Sequence, residues 1–167
     1  MYLIFQKYDI VNVMVKNIYS FIYVYKMLSF LKYQCFTHIF VVDNPSSVKR
    51  FAINYTMQSL KGSNYINFIL QVNDSTPVKS ITSIFYAANW AEREAWDMFG
   101  IFFLNHSSMQ RLLVDYGFEG YPLRKDFPLS GYIELGYSDG KKRILYQKID
   151  LVQEYRNFFF PKLWSET

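Results

Sequence analysis

The segment from Asp115 to Gly131 most constrains how this chain can fold. Five turn formers interrupt it and exclude a continuous helix: Gly117, Gly120, Pro122, Pro128 and Gly131. Large apolar side chains lie between them, namely Tyr116, Phe118, Tyr121, Leu123, Phe127 and Leu129. A loop this apolar packs either against its own domain or against another protein.

A helix is predicted directly before this loop. Asn89 is a suitable N-cap, and Glu92 stands three residues further on, as in a capping box. Gly100 supplies the stop. At about 100° per residue, one side carries Trp90, Arg93, Glu94 and Asp97, and the other carries Ala91, Ala95, Trp96, Met98 and Phe99.

Glu92 falls inside the apolar side of this predicted helix. A carboxylate there is costly unless it is hydrogen-bonded or paired. The expected partners are the cap amide, Arg111 or Arg124. The plain alternative is that Glu92 only completes a capping box on an ordinary core helix.

The same residues resemble a known family. The run Glu92-Arg93-Glu94, then Asp97-Met98-Phe99-Gly100, His106, Arg111-Leu112-Leu113, Asp115 to Gly120 and Pro122 to Leu129 is similar to the signature of the 30-kDa, NuoC-type subunit of respiratory complex I. This pattern is much longer than a short motif. The resemblance extends from about Phe30 to the C-terminus.

The resemblance implies a non-catalytic core subunit of the peripheral arm of NADH:ubiquinone oxidoreductase. It implies a position on the matrix side of the mitochondrial inner membrane, with the cytoplasmic face of a bacterial membrane as the alternative. If the chain works in a mitochondrion, it is expected to be organelle-encoded. Partners would be other complex I subunits, especially the quinone-site (NuoD-type) subunit and its iron–sulfur neighbours. FMN, the iron–sulfur clusters, NADH and quinone would bind to other subunits, with no cofactor, metal or catalytic residue on this chain.

A structural or interface role is predicted for a set of mostly charged residues in the signature helix and loop. We expect them to form a network that fixes the helix against the loop and presents the loop to a neighbour. The set comprises Glu92, Arg93, Glu94, Asp97, Arg124, Lys125, Asp126 and Phe127.

The fold class predicted is α+β, a two-layer single domain with a mixed β-sheet covered by helices. His38–Val42 is a β-branched run, alternation predicts strands around residues 51–55 and 66–72, and residues 133–137 and 144–146 predict a hairpin. Ile18 to Leu28 repeats at helical spacing and predicts a first helix. Residues 1–150 form the predicted domain, with the signature at 89–131, and residues 151–167 an extended aromatic tail that docks on a partner.

Other functions are weakly indicated. Glu92, Glu94, Asp97 and His106 could in principle form an acid/base or metal site, but Glu92 and Glu94 point about 160° apart on a helix. The single cysteine, Cys35, excludes an internal disulfide and cannot by itself hold an iron–sulfur cluster. Nucleic-acid binding by Lys141-Lys142-Arg143 is the alternative left open, against the simpler interpretation of a solvated hairpin tip.

The N-terminal region lacks the features of a secretory or mitochondrial targeting peptide, since residues 1–20 contain no arginine and no cleavage-site pattern. The most apolar stretch, Ile18–Phe36, is interrupted by Lys26 and Lys32 and so predicts no transmembrane segment.

Overall fold

The computed structural model describes residues 3–7, 10–15, 33–60 and 64–158. This part of the chain is mostly β, with a single helix. Its elements are β1 Leu3–Lys7, β2 Ile10–Val15, β3 Cys35–Asp43, β4 Phe51–Gln58, β5 Tyr65–Val72, β6 Val78–Lys79, α1 Ala88–Phe99, β7 Phe103–Leu104, β8 Ile133–Ser138 and β9 Arg143–Lys148. The helix predicted from Ile18 to Leu28 falls outside the described residues.

The main sheet has the order β1-β2-β5-β4-β3. β3, β4 and β5 form an antiparallel meander, whereas β2 lies parallel to β5 and β1 antiparallel to β2. The predicted mixed sheet is therefore confirmed. β1 and β2 are not among the predicted strands, because the nearly continuous apolar run of β2 lacks the alternation that identifies a half-exposed strand.

One face of the sheet carries the core. The alternation of β4 and β5 turns one set of side chains to this face, where all are buried: Phe51, Ile53, Tyr55, Met57, Ile66, Phe68, Leu70 and Val72. The buried face of α1 contributes the small residues Ala88, Ala91 and Ala95. Small side chains allow a helix to approach its neighbours closely, and polar groups on the same helix are then buried as well.

The start of α1 differs from the prediction. The helix begins at Ala88, its N-cap is Ala87, and no side chain caps it, so Asn89 lies inside the helix. The amides of Ala88 and Asn89 donate instead to the carbonyls of Phe85 and Tyr86, at 3.0 Å each. A preceding turn thus supplies the acceptors that a cap side chain would have provided. The predicted end at Gly100 is confirmed, with φ at +79° and its amide bound to Trp96 O at 2.8 Å.

The strand directions bring three charged residues to one end of the sheet. β3 and β5 are both antiparallel to β4, so they run in the same direction and end at the same edge. Asp43 ends β3 and Asp74 follows β5. Arg50 precedes β4, which starts at that edge.

The chain divides into two compact units, residues 1–127 and 128–167. The second contains β8 and β9, which pair as the predicted antiparallel hairpin with Leu135 opposite Tyr146. The predicted limit of the domain at residue 150 stays a prediction, as does docking of the tail, whose residues 159–167 lie outside the described residues.

Candidate interaction site

Asp97 anchors the segment that follows β7. Its side chain is completely buried, although helical spacing predicts that it lies on the polar side of the helix. Oδ2 accepts the amides of Leu112, Leu113 and Val114 at 3.0, 2.8 and 3.2 Å. The prediction is wrong because these backbone donors come from a part of the chain that helical periodicity does not describe. The returning segment covers this face of α1.

Arg111 is the cation that compensates this buried charge. Its Nη1 lies 3.3 Å from Asp97 Oδ1 and donates to Gly120 O at 3.1 Å. Its guanidinium also lies 5.3 to 6.0 Å from the ring centroids of Trp96, Phe118 and Tyr121. Arg111 therefore joins the helix to the loop through hydrogen bonds and cation–π contacts together.

Glu92 pairs with neither predicted arginine. Oε1 accepts the amide of Ile81 at 2.7 Å, and Oε2 lies 4.0 Å from Nε2 of His106. Burial raises the pKa of this carboxyl to about 7. Hydrogen bonds from Ser80 and Ile81 lower the pKa, but by less than burial raises it. The predicted bond to the cap amide is also absent within the described residues, because the capping box does not form there.

The central part of the loop is held at the end of the sheet by a cluster that we call the loop clamp. It consists of Asp43, Arg50, Asp74, Arg124, Lys125 and Asp126. Its first half is a bidentate pair, in which Arg50 donates to both oxygens of Asp43 at 2.8 and 2.9 Å. Arg50 also donates to Asp126 at 3.0 Å, and the amide of Lys125 donates to Asp43 at 2.8 Å.

Electrostatics within this half of the clamp agree with its geometry. The Arg50 guanidinium holds the pKa of Asp43 below its usual value, overcoming burial, which acts in the opposite direction. It also lowers the pKa of the exposed Asp126 carboxyl. Both acids therefore stay charged near neutral pH, and the loop remains tied to β3.

Arg124 forms the other half of the clamp. It donates to both oxygens of Asp74, at 2.6 and 3.2 Å, and through Nε to the carbonyl of Phe99 at 2.6 Å. Its guanidinium lies 4.6 Å from the Tyr121 ring centroid and 5.2 Å from that of Phe51. Arg124 thus satisfies an otherwise free carbonyl at the C-terminal end of α1 while holding the loop against the sheet.

The predicted charged residues lie in the helix and the loop, but they do not pair with one another as predicted. Their short ion pairs go to residues outside the predicted set: Asp97 to Arg111, Arg124 to Asp74, and Asp126 to Arg50. Arg93 donates to the carbonyl of Gln110 at 3.1 Å, and Glu94 makes no hydrogen bond or ion pair in the described part of the chain. The ring of Phe127 lies 5.9 Å from that of Phe118 and covers Gly120.

Sequence reasoning missed Asp43, Arg50 and Asp74, and it considered His106 only as a possible member of an acid/base or metal site with Glu92. The first three could have been found from strand order, because β3 and β5 run in the same direction. Asp43 and Asp74 therefore lie at the same end of the sheet, where Arg50 precedes β4. No local pattern predicts that His106 lies close to Glu92, because this distance depends on the path of the chain between α1 and residue 106.

The hairpin of the second unit presents an exposed apolar face. Its members point to one side of β8 and β9 and are each 55 to 67% exposed: Ile133, Leu135, Tyr137, Ile144 and Tyr146. We call these five residues the hairpin face. An apolar surface of this kind on a two-stranded hairpin is typical of a contact with another protein.

Comparison with solved structures first defines the fold. The chain is similar to a protein in the structure of the membrane-bound sulfane sulfur reductase, an archaeal respiratory membrane complex. The TM-score is 0.69 at 19% sequence identity, over 77% of this chain and 78% of the other. At this identity the likeness concerns the fold alone.

The family follows from the sequence itself. Residues 11–133 match the family described as the respiratory-chain NADH dehydrogenase, 30 Kd subunit, and the chain belongs to this family of complex I subunits. It is 44% identical over 150 residues to NADH-ubiquinone oxidoreductase subunit 9 of Acanthamoeba castellanii, covering 90% of this chain and 76% of the relative. It is 43% identical to NADH dehydrogenase (ubiquinone) iron-sulfur protein 3 of Oryza sativa subsp. japonica, covering 86% and 79%. A bacterial relative, from the NADH-quinone oxidoreductase of Xanthobacter autotrophicus, is 47% identical over 80% of this chain and 64% of its own length.

The plant relative's name mentions iron and sulfur, but the donor set here does not fit a cluster. Cluster irons are held by several cysteine thiolates, and Cys35 is the only cysteine. Among the described residues, no three His, Cys, Asp or Glu side chains converge as metal ligands. In that part of the chain there is also no helix with the length and apolar character needed to cross a membrane.

Proposed function

We propose that the chain is a non-catalytic core subunit of the peripheral arm of complex I, on the matrix side of the mitochondrial inner membrane. It supports assembly and holds the quinone-site region in place while electrons pass from NADH to quinone, a transfer coupled to proton pumping. Its direct partners are the quinone-site subunit and the neighbouring iron–sulfur subunits. Redox chemistry takes place on those partners.

The observation that carries this proposal is the hairpin face. Five apolar side chains more than half exposed on one side of a hairpin are unfavourable for a protein that works alone in water. The loop clamp supports the same function from the first unit, because it fixes a loop segment in which Tyr116 and Leu123 are 98 and 54% exposed. Aromatic and aliphatic residues held in a fixed arrangement lose little entropy when a partner covers them.

The hairpin face is tested by replacing two of its cross-strand partners, Leu135 and Tyr146, with asparagine. Because both are exposed, the thermal stability of the isolated chain is expected to stay within about 1 kcal/mol of wild type. The amount of assembled NADH dehydrogenase is expected to fall several-fold in a host that depends on this chain. Thermal unfolding measures the first quantity, and a native gel, stained for NADH dehydrogenase activity and probed with an antibody to the chain, measures the second.

The matched control is Glu134→Gln on the opposite side of β8, where the side chain bonds Gln147 at 2.9 Å. This variant is expected to assemble normally. Normal assembly of the Leu135 and Tyr146 variant would contradict docking through the hairpin face. A wild-type chain that runs only as a small free protein would contradict the subunit function as a whole.

Arg124→Ala is expected to weaken the loop clamp and with it the assembly of the complex. Asp74 is half exposed, so the ion pair itself contributes little, and most of the loss comes from the Phe99 carbonyl and the two rings. We expect a decrease of about 2 kcal/mol in the free energy of unfolding. Denaturant unfolding of the full chain measures it, and the native gel measures assembly.

Lys125→Ala is the control for this prediction. It also removes one positive charge from the same loop, but Lys125 binds Asp43 through its backbone amide, which the substitution retains. Its stability is expected to remain near wild type. Equal losses in the two variants would mean that loop charge, not the contacts of Arg124, determines stability.

A further inference from the structure

Glu92 and His106 meet in the interior of the first unit. The side chains of both are fully buried, and Glu92 Oε2 lies 4.0 Å from His106 Nε2. Neither of these two atoms has a hydrogen-bond partner among the described residues. Buried polar atoms are rarely left in this state, so the pair calls for a physical explanation.

The hydrogen bonds of the imidazole fix where its proton lies. The amide of Ser108 donates to His106 Nδ1 at 3.1 Å. A ring nitrogen that accepts a hydrogen bond carries no proton, so the neutral ring has its proton on Nε2, facing Glu92. Conversion to imidazolium would place a second proton on Nδ1, directly against the Ser108 N–H. The carboxyl is therefore the member of the pair that gains and loses a proton.

The surroundings of Glu92 favour its neutral form. From β4 it faces Tyr55, a buried phenol whose pKa is raised well above its usual value by burial and by the Glu92 charge. From the segment after β6 it faces the Ser80 hydroxyl and the Ile81 amide, and from the segment after β7 it faces His106. No lysine or arginine of the described chain forms an ion pair with it, in contrast to Asp97, which has Arg111.

We propose that Glu92 and His106 form a buried proton-binding site that acts as a pH-sensitive contact between α1 and the segment Asn105–Ser108. When Glu92 is ionised, its carboxylate attracts the Nε2–H and draws the segment toward the helix. When Glu92 takes a proton from solvent, an O–H faces an N–H, and the contact weakens. Loss of the proton back to solvent restores it. This property goes beyond the proposed subunit function and does not depend on it.

Because His106 and His38 are the only two histidines, the test is nitrogen NMR of the full chain labelled with ¹⁵N-histidine. The spectra are recorded between about pH 5.5 and 8.5, where histidines and a raised carboxyl titrate. His38 is exposed on β3 and is the one other source of signal. The His106 Nδ1 shift is expected to remain that of an unprotonated acceptor, while the Nε2 shift moves with a single inflection. Glu92→Gln is expected to abolish that inflection.

Two results would overturn the proposal in the wild-type chain alone: protonation of His106 Nδ1 in this range, or no Nε2 inflection there. Persistence of the inflection in Glu92→Gln would also overturn it. Ser108→Pro provides a test that leaves both side chains of the pair intact, because proline has no amide to donate to Nδ1. In that variant His106 Nδ1 is expected to gain a proton on acidification. Unchanged behaviour would show that Ser108 does not fix the ring.

Discussion

Replacement of Asp97 by alanine is expected to lower the free energy of unfolding by roughly 3–5 kcal/mol, because it breaks a buried charge pair and leaves several donors unsatisfied. Three backbone amides, from Leu112 to Val114, would lose their shared acceptor. Arg111 would keep a positive charge among aromatic rings without its carboxylate. A loss of this size is a large part of the stability of a typical domain.

Denaturant unfolding of the full chain measures this loss, with Glu94→Ala as the control on the same helix. Glu94 is partly exposed and makes no hydrogen bond or ion pair in the described structure, so its removal is expected to change stability by about 0.5 kcal/mol or less. Asp97→Asn should give an intermediate loss, because the amide oxygen can still accept while the charge is gone. Similar losses for Asp97→Ala and Glu94→Ala would refute the anchoring role of Asp97.

Gly100→Ala is expected to be the second most damaging change. A Cβ at this position would lie 2.7 Å from the Tyr121 ring and 2.6 Å from Nη2 of Arg124, and the backbone has φ at +79°. The left-handed conformation alone costs a residue with a side chain roughly 1–2 kcal/mol. Displacing the ring and the guanidinium adds a further loss of about 1–3 kcal/mol.

Gly117→Ala separates these two contributions. Gly117 has nearly the same φ, +74°, but nothing within 4 Å of an added Cβ. Only the conformational cost is expected there, so Gly100→Ala should unfold at clearly lower denaturant than Gly117→Ala. If the two variants unfold together, the close packing of Tyr121 and Arg124 on Gly100 contributes nothing to stability.

Local patterns predict the elements whose signals are contained in a few residues. Alternation identifies β4, β5 and the hairpin because apolar side chains recur at every second position, and a β-branched run identifies β3. Gly100 marks the end of α1 because few other residues adopt its conformation. The same reasoning assigns Asn89 to the N-cap, where a turn of backbone carbonyls already satisfies the first amides. Sequence cannot distinguish these two ways of satisfying the same donors.

Local sequence patterns do not predict which charged residues pair with one another in the site. Arg111 and Arg124 are both expected from the sequence as possible partners of Glu92, yet Arg111 pairs with Asp97 and Arg124 with Asp74. Each pairing depends on a chain path that crosses tens of residues, and helical periodicity describes only one element. A charged residue inside an apolar helical face is nevertheless a correct sign of buried polar contacts, since Glu92 is wholly buried.

The parallel pairing of β2 with β5 has a consequence for how the chain folds. Ile10 lies opposite Tyr65, so this contact closes a long loop, whereas β3, β4 and β5 pair with their neighbours in sequence. Closing a long loop is slow because the chain loses entropy before any contact compensates for it. On a ribosome, β1 and β2 emerge early and can pair with each other, but β2 has no β5 to join until residues 65–70 have been synthesised. The first strands made therefore join the rest of the sheet late, and until then the edge of β2 stays open to pairing with other chains.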